Sequence, residues 1–526
     1  MKDESRPAGV SGELRSHRPG RSIALIGLGM ASAIGYAAIT WAAGAAGFPL
    51  DDAWIHQTYA RNLGLHGQWA FILGQPSAGS TSPLWTMSLA LGYVLRIDYA
   101  WWTLGLNAIL LGVTAWLAYR VTSAMGGDKP RPYNWWVGAL VAVEWHLAWA
   151  AASGMETILF CALTLGAWLA AGGDKPRPYL SGILLGLAAW TRPDGLTLLP
   201  FLALTIWLEG GRLKALAAFF AGAAAVIASY FLFNFTLSGQ LWPNTFFAKQ
   251  AEYAILRELP LWQRLVTIFS TPLIGVSVLL LPGTMLIRGA KLVGADPQAP
   301  LACVGPTGAN TQVRANTQVR ANTWIRPYVM LAWAAAFLLA YALRLPVTYQ
   351  HGRYLIPVIP VLVIVGGAGM MSWVQLTASH LWPRVISRAW VMGVGIVAIA
   401  FWIIGVRALI SDNRVINSEM VAVAKWVEGN IPAGTLIAAH DIGALGYFAE
   451  VQLIDLAGLV SPEVIPFIRD EARLAVFIGE RGAEYFINYP GWCPVFTSGM
   501  TPVFQTGELC EPRNPNLHMT VYRLEK

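Results

Sequence analysis

Residues 22–47, SIALIGLGMASAIGYAAITWAAGAAG, run without a single charged side chain. A helix over this stretch reaches about 39 Å at ~1.5 Å per residue, more than the ~30 Å hydrocarbon core of a bilayer. The run is too long for a signal-peptide core and lacks a convincing cleavage site, so it is expected to remain as a first membrane helix. Before it, Lys2, Arg6, Arg15, Arg18 and Arg21 outnumber Asp3, Glu4 and Glu13. That excess of positive charge predicts a cytoplasmic N-terminal tail over 1–21.

The rest of the chain has the same character. Of 526 residues, 56% are hydrophobic and 12% charged, about half the roughly 25% charged fraction of a soluble protein. The shortage extends over most of the length, which fits a polytopic α-helical membrane protein. Many of the 24 Trp lie near the ends of apolar runs, where an amphipathic ring suits the membrane interface. The net charge of +7 does not indicate nucleic acid, because the basic residues are scattered through short loops and form no basic face.

Candidate spans lie at about 22–47, 100–120, 134–152, 157–171, 180–190, 195–208, 215–237, 264–287, 327–345, 354–373 and 389–409, about eleven in all. The short pair 180–190 and 195–208 reads as one broken hairpin around Arg192-Pro193-Asp194-Gly195. With the N-terminus inside, the loop 48–82 lies outside. The loops holding Lys129 and Arg131, Lys175 and Arg177, Arg212 and Lys214, Arg288 to Arg326, and Arg384 and Arg388 then all fall inside, as positive charge requires. This holds only if 83–120 crosses once, so 83–97 is expected to be interfacial or half-buried.

Two repeats fall in predicted cytoplasmic loops. Gly-Gly-Asp-Lys-Pro-Arg-Pro-Tyr occurs at 126–133 and 172–179, and Ala-Asn-Thr-Gln-Val-Arg at 309–314 and 315–320. Both read as linker filler, and 292–323, within the low-complexity loop 288–326, is expected to be poorly packed. After a membrane domain over 22–409, charges return in 410–526. Thr435-Leu436-Ile437-Ala438 and Tyr485-Phe486-Ile487 look like strands of a small extracytoplasmic α/β domain. Cys493 and Cys510 both lie there; a disulfide and two free buried thiols are equally compatible with the pattern. No CxxC or Cys/His cluster points to structural zinc.

Five predicted outside loops carry ionisable residues at helix ends, where their placement is costly and so marks function. They are Phe48-Pro49-Leu50-Asp51-Asp52-Ala53-Trp54-Ile55-His56, Ala152-Ser153-Gly154-Met155-Glu156-Thr157, Trp190-Thr191-Arg192-Pro193-Asp194, Leu241-Trp242-Pro243-Asn244-Thr245-Phe246-Phe247-Ala248-Lys249 and Tyr349-Gln350-His351-Gly352-Arg353-Tyr354. Ile55, Tyr59 and Leu63 recur at helical spacing and predict the apolar face of an amphipathic helix, with Asp52 and His56 on another face. Adjacent carboxylates can act as a general base or bind a divalent cation, and Asp51 can equally be a helix cap. A Mg²⁺ or Mn²⁺ site at Asp51 and Asp52 is permitted, and no dedicated ligand set requires a cofactor. Lys249, His351, Arg353 and Arg192 are the basic residues on the same predicted face, and Arg353 and Arg192 can equally be interface anchors. Read locally, His56 lies on a wet helix face, Glu156 pairs with a basic residue to shape the cavity or has a direct role, and Asn244 after Pro243 builds a turn.

The stretches Asp51-Asp52-Ala53-Trp54-Ile55, Tyr59-Ala60-Arg61-Asn62-Leu63 and Gly79-Ser80-Thr81-Ser82-Pro83-Leu84-Trp85 resemble the first external loop of the C-type (GT-C) glycosyltransferase superfamily. Within it the chain most resembles the mycobacterial terminal arabinofuranosyltransferases. Pro243-Asn244-Thr245 with Lys249, Arg353-Tyr354 with Pro357, and Asp441-Ile442-Gly443-Ala444-Leu445-Gly446-Tyr447 with Asp455-Leu456-Ala457-Gly458-Leu459 continue the likeness in order from about 48 to 460. The resemblance implies transfer of a sugar from a polyprenyl-phosphate donor to a glycan or lipid acceptor outside the inner (plasma) membrane. It implies an acidic base in the first external loop, which falls on Asp51 or Asp52 with Asp51 slightly favoured. It implies a donor phosphate stabilised by Lys249, His351, Arg192, His56 and Arg353, whose guanidinium can hold it bidentately. It implies substrate contacts at Glu156, Asn244, Thr81, Tyr354, His440 and Asp441, the last two in a Gly-containing loop that also reads as a structural turn. It departs from the family at Ile72-Leu73-Gly74-Gln75-Pro76, where Asn-Pro-Gly is usual, and in the repeat at 309–323. A transporter or flippase of lipid-linked sugars and a protein glycosyltransferase are the alternatives. The first would place charges near the bilayer midplane, often with inverted repeats, and neither is visible here. No oligomeric state is implied.

Overall fold

A computed structural model describes residues 19–125, 134–172, 176–286, 326–374, 376, 379–507 and 518–524. Expectations for 1–18, the loop 292–323, Cys510 and all or part of each repeat lie outside the described residues.

The chain begins with α1 (Pro19–Ala42), then α2 (Asp51–His66) and a short hairpin of β1 (Ala70–Ile72) and β2 (Gln75–Pro76) turning at Gly74. Next come α3 (Pro83–Val94), α4 (Tyr99–Met125), α5 (Asn134–Val143), α6 (Trp145–Ala152), α7 (Thr157–Gly172), α8 (Pro178–Thr191) and α9 (Leu198–Leu208). They are followed by α10 (Leu213–Ser238), α11 (Asn244–Glu252), α12 (Leu261–Ser270), α13 (Ser277–Leu286), α14 (Arg326–Arg344), α15 (Ile359–Trp373) and α16 (Leu381–Ile416).

This is a multi-pass membrane protein. Among the described residues six helices are long and apolar enough to cross, or seven if the bent pair α12–α13 counts as one span, and four apolar helices are shorter. Each of the eleven expected segments contains helix, yet among the described residues only six or seven spans are long and apolar enough to cross, and several segments are broken. The run 134–152 divides at Glu144, whose carboxylate accepts the Leu147 amide at 3.0 Å and so starts α6 as an N-cap. The run 264–287 bends by 98° around Pro272 and Gly275, the latter at φ +122. Between α8 and α9 a 3₁₀ turn, Pro193–Thr197, breaks the hairpin where Pro193 interrupts the helix. Helix α3, with 12 residues, reaches only ~18 Å and is too short to span.

Helix α2 departs from the amphipathic expectation. Ile55 and Tyr59 are buried and Leu63 half-buried, yet His56, Gln57, Thr58 and Asn62 are buried as well. The reason is tertiary: α3 packs on one side of α2, and the C-terminal region covers another.

That region continues through a π-helical turn, Asn417–Val421, into α17 (Ala422–Asn430). A five-stranded sheet follows, from β3 (Leu436–Ala439), β4 (Gln452–Asp455), β5 (Tyr485–Asn488), β6 (Pro502–Gln505) and β7 (Thr520–Arg523), in the order β4-β3-β5-β7-β6. Strand β3 runs parallel to both β4 and β5, while β7 is antiparallel to β5 and β6. Helix α18 (Gly443–Phe448) connects β3 to β4, and α19 (Glu471–Glu480) precedes β5. The sheet is joined to the helices by buried contacts: Ile437, Ala439 and Ile487 belong to the same hydrophobic core as the membrane helices. Buried Glu419 accepts the Met519 amide at 2.8 Å and also bonds Thr506.

Small residues let the helix pair α13–α15 approach closely, as in other membrane proteins. A Cβ at Gly283 would lie 2.0 Å from the Gly366 carbonyl oxygen, whereas one at Gly393 meets nothing within 4 Å. Gly283→Leu is therefore expected to cost about 1–3 kcal/mol by overpacking, read as lower thermal stability in detergent. Gly393→Leu is expected to behave as wild type; equal stability of the two variants would refute this packing.

Candidate active site

Helix α2 starts at Asp51, and its first two residues carry carboxylates. They diverge. Asp51 accepts the Gly443 amide at 2.6 Å and the Ala444 amide at 2.8 Å, at the start of α18. Asp52 accepts from Arg353 Nη2 at 2.5 Å and from Lys249 Nζ at 3.3 Å. Lys249 and Arg353 both also donate to the Tyr354 phenol oxygen, each at 2.9 Å. Four side chains from three chain segments thus share one cluster, in which Arg353 is buried and Asp52, Lys249 and Tyr354 are half-buried.

Three consecutive residues before Arg353 are left-handed: Gln350 at φ 52, His351 at φ 59 and Gly352 at φ 66. For the first two this conformation is strained. His351 Nε2 pairs with Asp412 Oδ2 at 2.8 Å, and Trp149 Nε1 donates to the same oxygen at 3.0 Å. His351 is thus directed to α16 and not to the Asp52 cluster, although sequence made it a phosphate candidate.

Arg192 sits behind Tyr354. It pairs with Asp194 at 2.7 Å, donates to Tyr341 at 2.8 Å, and lies 5.6 Å from the Tyr354 ring centroid. Its charge is already matched by Asp194. His56 is buried and shares hydrogen bonds with Thr86 at 3.1 Å and Ser80 at 3.3 Å. Its Nε2 faces Glu156 at 3.7 Å, and Glu156 Oε2 is buried without a hydrogen-bond partner. Asn244 starts α11 and donates weakly to the Leu459 carbonyl at 3.4 Å. Thr81 is half-buried at the entrance to α3. His440 lies 3.5 Å from Glu252 and 3.6 Å from Asp441. Cys493 accepts from Asn488 at 3.3 Å.

Electrostatics separate the two aspartates. Burial alone would raise Asp52, but Lys249, then Arg353 and His56, hold it well below the usual carboxylate range. Burial opposes the Lys249 charge too, and Asp52 followed by Tyr354 outweighs it, so Lys249 titrates above its ordinary value. Asp51 moves the other way: burial first, then Asp441, push it up against the pull of the two backbone amides. Burial lowers His56 despite Glu156 and Asp52, which favours the neutral ring.

The most informative feature is Arg353. Its Nε and Nη1 are buried and have no hydrogen-bond partner, and leaving charged donors unmatched is costly. Buried Arg353 and half-buried Lys249 against one carboxylate make a small basic cradle suited to an anion. The same arrangement does not fit a divalent cation between Asp51 and Asp52. One carboxylate is taken by backbone amides and the other by two positive groups, and no group of three or more metal-ligating side chains occurs among the described residues.

Sequence reasoning missed Glu252, Tyr341 and Asp412. Each gains its role only from a partner distant in the chain. The one available signal was the placement of Glu252 one helical turn after Lys249.

Comparison with known proteins agrees with this architecture. The structure of ArnT from Cupriavidus metallidurans bound to undecaprenyl phosphate matches with TM-score 0.54 and 13% identity, covering 96% of this chain and 98% of its own. The Archaeoglobus fulgidus oligosaccharyltransferase tethered to an acceptor peptide matches with TM-score 0.55 and 12% identity, covering 92% and 72%. The archaeal oligosaccharyltransferase AglB from Archaeoglobus fulgidus, in complex with an inhibitory peptide and a dolichol-phosphate, matches with TM-score 0.51 and 12% identity, covering 89% and 69%. The chain has a GT-C-like fold. A family model described as a domain of unknown function, DUF8728, matches residues 407–522. No curated protein matches the chain.

His440 provides a pH test of the site's wall. Burial opposes its charge, yet Asp441 and Glu252 raise its pKa well above 6.5. A histidine with a raised folded-state value contributes stability fully below about pH 6.5 and loses it as pH climbs through the folded value. Thermal stability of the wild type is expected to fall relative to His440→Gln as pH is raised above neutral. Parallel curves for the two proteins across that window would reject the assignment.

Proposed function

We propose that the chain is a membrane glycosyltransferase that moves a sugar from a polyprenyl-phosphate donor to a hydroxyl acceptor on the extracytoplasmic face. The observation that carries this is the Asp52–Lys249–Arg353–Tyr354 cluster, with two buried, unmatched guanidinium donors on Arg353. A phosphate fits that cradle because guanidinium binds it bidentately. The fold is that of a structure bound to undecaprenyl phosphate and another in complex with a dolichol-phosphate, which supports a lipid phosphate as donor. Eleven crossings from a cytoplasmic N-terminus would put α2, α11, Arg353 and the C-terminal sheet together outside. A pentofuranose donor such as arabinofuranose follows from the sequence resemblance.

The chemistry is a displacement. The acceptor oxygen bonds to the anomeric carbon as the carbon–oxygen bond to phosphate breaks, and the acceptor proton passes to a carboxylate. The leaving lipid phosphate keeps the electron pair and is stabilised by Arg353 and Lys249. Asp52 is the better base. It lies beside both cations, whereas each oxygen of Asp51 already accepts a backbone amide. With donor absent the cations hold Asp52 ionised; when they turn to phosphate, Asp52 regains basicity beside the reacting carbon. Asp51 then serves to hold α18 against α2.

The test is transfer by reconstituted protein from a panel of radiolabelled polyprenyl-phosphate sugars to glycan, lipid and peptide acceptors. Wild type is expected to use at least one donor. Asp52→Asn is expected to lose about 10²–10⁴-fold in rate. Arg353→Lys should lose on the order of tenfold or more through the lost fork geometry. Asp51→Asn should retain more activity than Asp52→Asn. Absence of transfer from every donor by wild type would sink the proposal, and full activity in Asp52→Asn would remove it as base.

A further inference from the structure

Strand β3 has parallel neighbours on both sides. After β3 the chain turns through α18 toward β4; after β5 it leaves through Tyr489-Pro490-Gly491-Trp492 toward β6 and β7 on the other side. The two connections diverge, so a crevice opens at the carboxyl ends of β3 and β5. In open α/β sheets such a switch point is where ligands bind.

The residues lining this crevice have a consistent chemistry. His440 is the first residue after β3, and Trp492 stands edge-on to its ring at 4.7 Å and 80°. Trp492 is 54% exposed, so its ring is accessible to a ligand, and Tyr489 supports it at 5.1 Å. Glu252 on α11 faces His440 from across the crevice. The separations within the His440 group, 3.5 Å to Glu252 and 3.6 Å to Asp441, exceed ordinary hydrogen bonds. His440 Nδ1 and Asp441 Oδ2 are buried atoms with no hydrogen-bond partner. A flat aromatic face beside widely spaced, incompletely satisfied donors and acceptors suits a ring with a CH face and several hydroxyls, since each hydroxyl both donates and accepts. An anionic ligand is disfavoured by Glu252 and Asp441.

The crevice also leads to the proposed reaction centre. Glu252 lies three residues beyond Lys249, on the same side of α11. Asp441 lies two residues before Gly443, whose amide holds Asp51. We infer that the crevice between His440, Asp441, Glu252 and Trp492 is a carbohydrate-binding subsite that receives the acceptor chain and presents its hydroxyl toward Asp52. Its assignment as the acceptor subsite rests on the transferase reading above, while carbohydrate binding does not.

Binding to the full chain in lipid nanodiscs separates the two. The probes are a soluble pentose oligosaccharide, a soluble hexose oligosaccharide, a neutral peptide containing Ser and Thr, and polyprenyl phosphate, each followed by calorimetric titration. Wild type is expected to bind at least one oligosaccharide saturably. Trp492→Ala and Glu252→Gln are expected to weaken that binding about tenfold, with Trp492→Phe restoring most of it. Both weakened variants should bind polyprenyl phosphate as wild type does, which shows that they are folded. Arg353→Ala should lose polyprenyl phosphate and keep the oligosaccharide. No oligosaccharide binding by wild type, unchanged binding in Trp492→Ala and Glu252→Gln, or Trp492-dependent binding of the peptide instead would each overturn the subsite. Failure of wild type to bind polyprenyl phosphate would count against the transferase reading alone.

Discussion

Two hydrogen bonds hold the architecture of the site together: those from the Gly443 and Ala444 amides to the carboxylate of Asp51. They join positions 392 and 393 residues apart in the chain and bring the C-terminal sheet onto α2. The fit depends on glycine, because a Cβ at Gly443 would lie 2.1 Å from the Asp51 carbonyl oxygen. With Asp51 fixed in this way, the next residue on the helix points about 100° further round. That rotation carries Asp52 to Lys249 and Arg353. One carboxylate builds the wall and its neighbour faces the basic cradle.

The cradle is expensive to maintain. Lys249 and Arg353 are mostly buried with Asp52 as the carboxylate between them, and an imperfectly matched buried charge is destabilising. The backbone adds strain, since Gln350 and His351 both adopt positive φ at a cost on the order of 1–3 kcal/mol each. The surroundings counter these costs. His351 is anchored to Asp412, Trp149 donates to the same carboxylate, and Tyr354 accepts from both cations. Behind it Arg192 is neutralised by Asp194 and bonded to Tyr341. Such a site stays formed because its neighbours over-determine it, and its unmatched donors remain available to an anion.

Much of this is legible from residue type and placement. Asp51, Asp52, Lys249 and Arg353 stand out because ionisable residues at the ends of apolar runs are costly. Leu436–Ala439 and Tyr485–Asn488 are legible as strands because their apolar runs are too short for membrane helices. The breaks were harder to see. Glu144 divides an apolar run by capping α6 with its own side chain, and hydropathy alone carries no sign of that. Helix α2 misleads for a related reason. Its polar residues predict a wet face, but α3 and α18 cover it, and His56, Gln57 and Asn62 find partners inside. His351 looked like one more cation for phosphate, and its direction was decided by Asp412 on a helix 61 residues away.

The sequence by itself determined the solvent. Long uncharged runs can only be stable in lipid as helices, and that follows from backbone hydrogen bonding without knowledge of any contact. It also determined which residues were too costly to be incidental. Only the tertiary structure decided what each of them does, because a charge takes its role from its partners. Asp51 and Asp52 are chemically identical and adjacent. One became a clamp on two backbone amides and the other the partner of two cations, through contacts that no local pattern encodes.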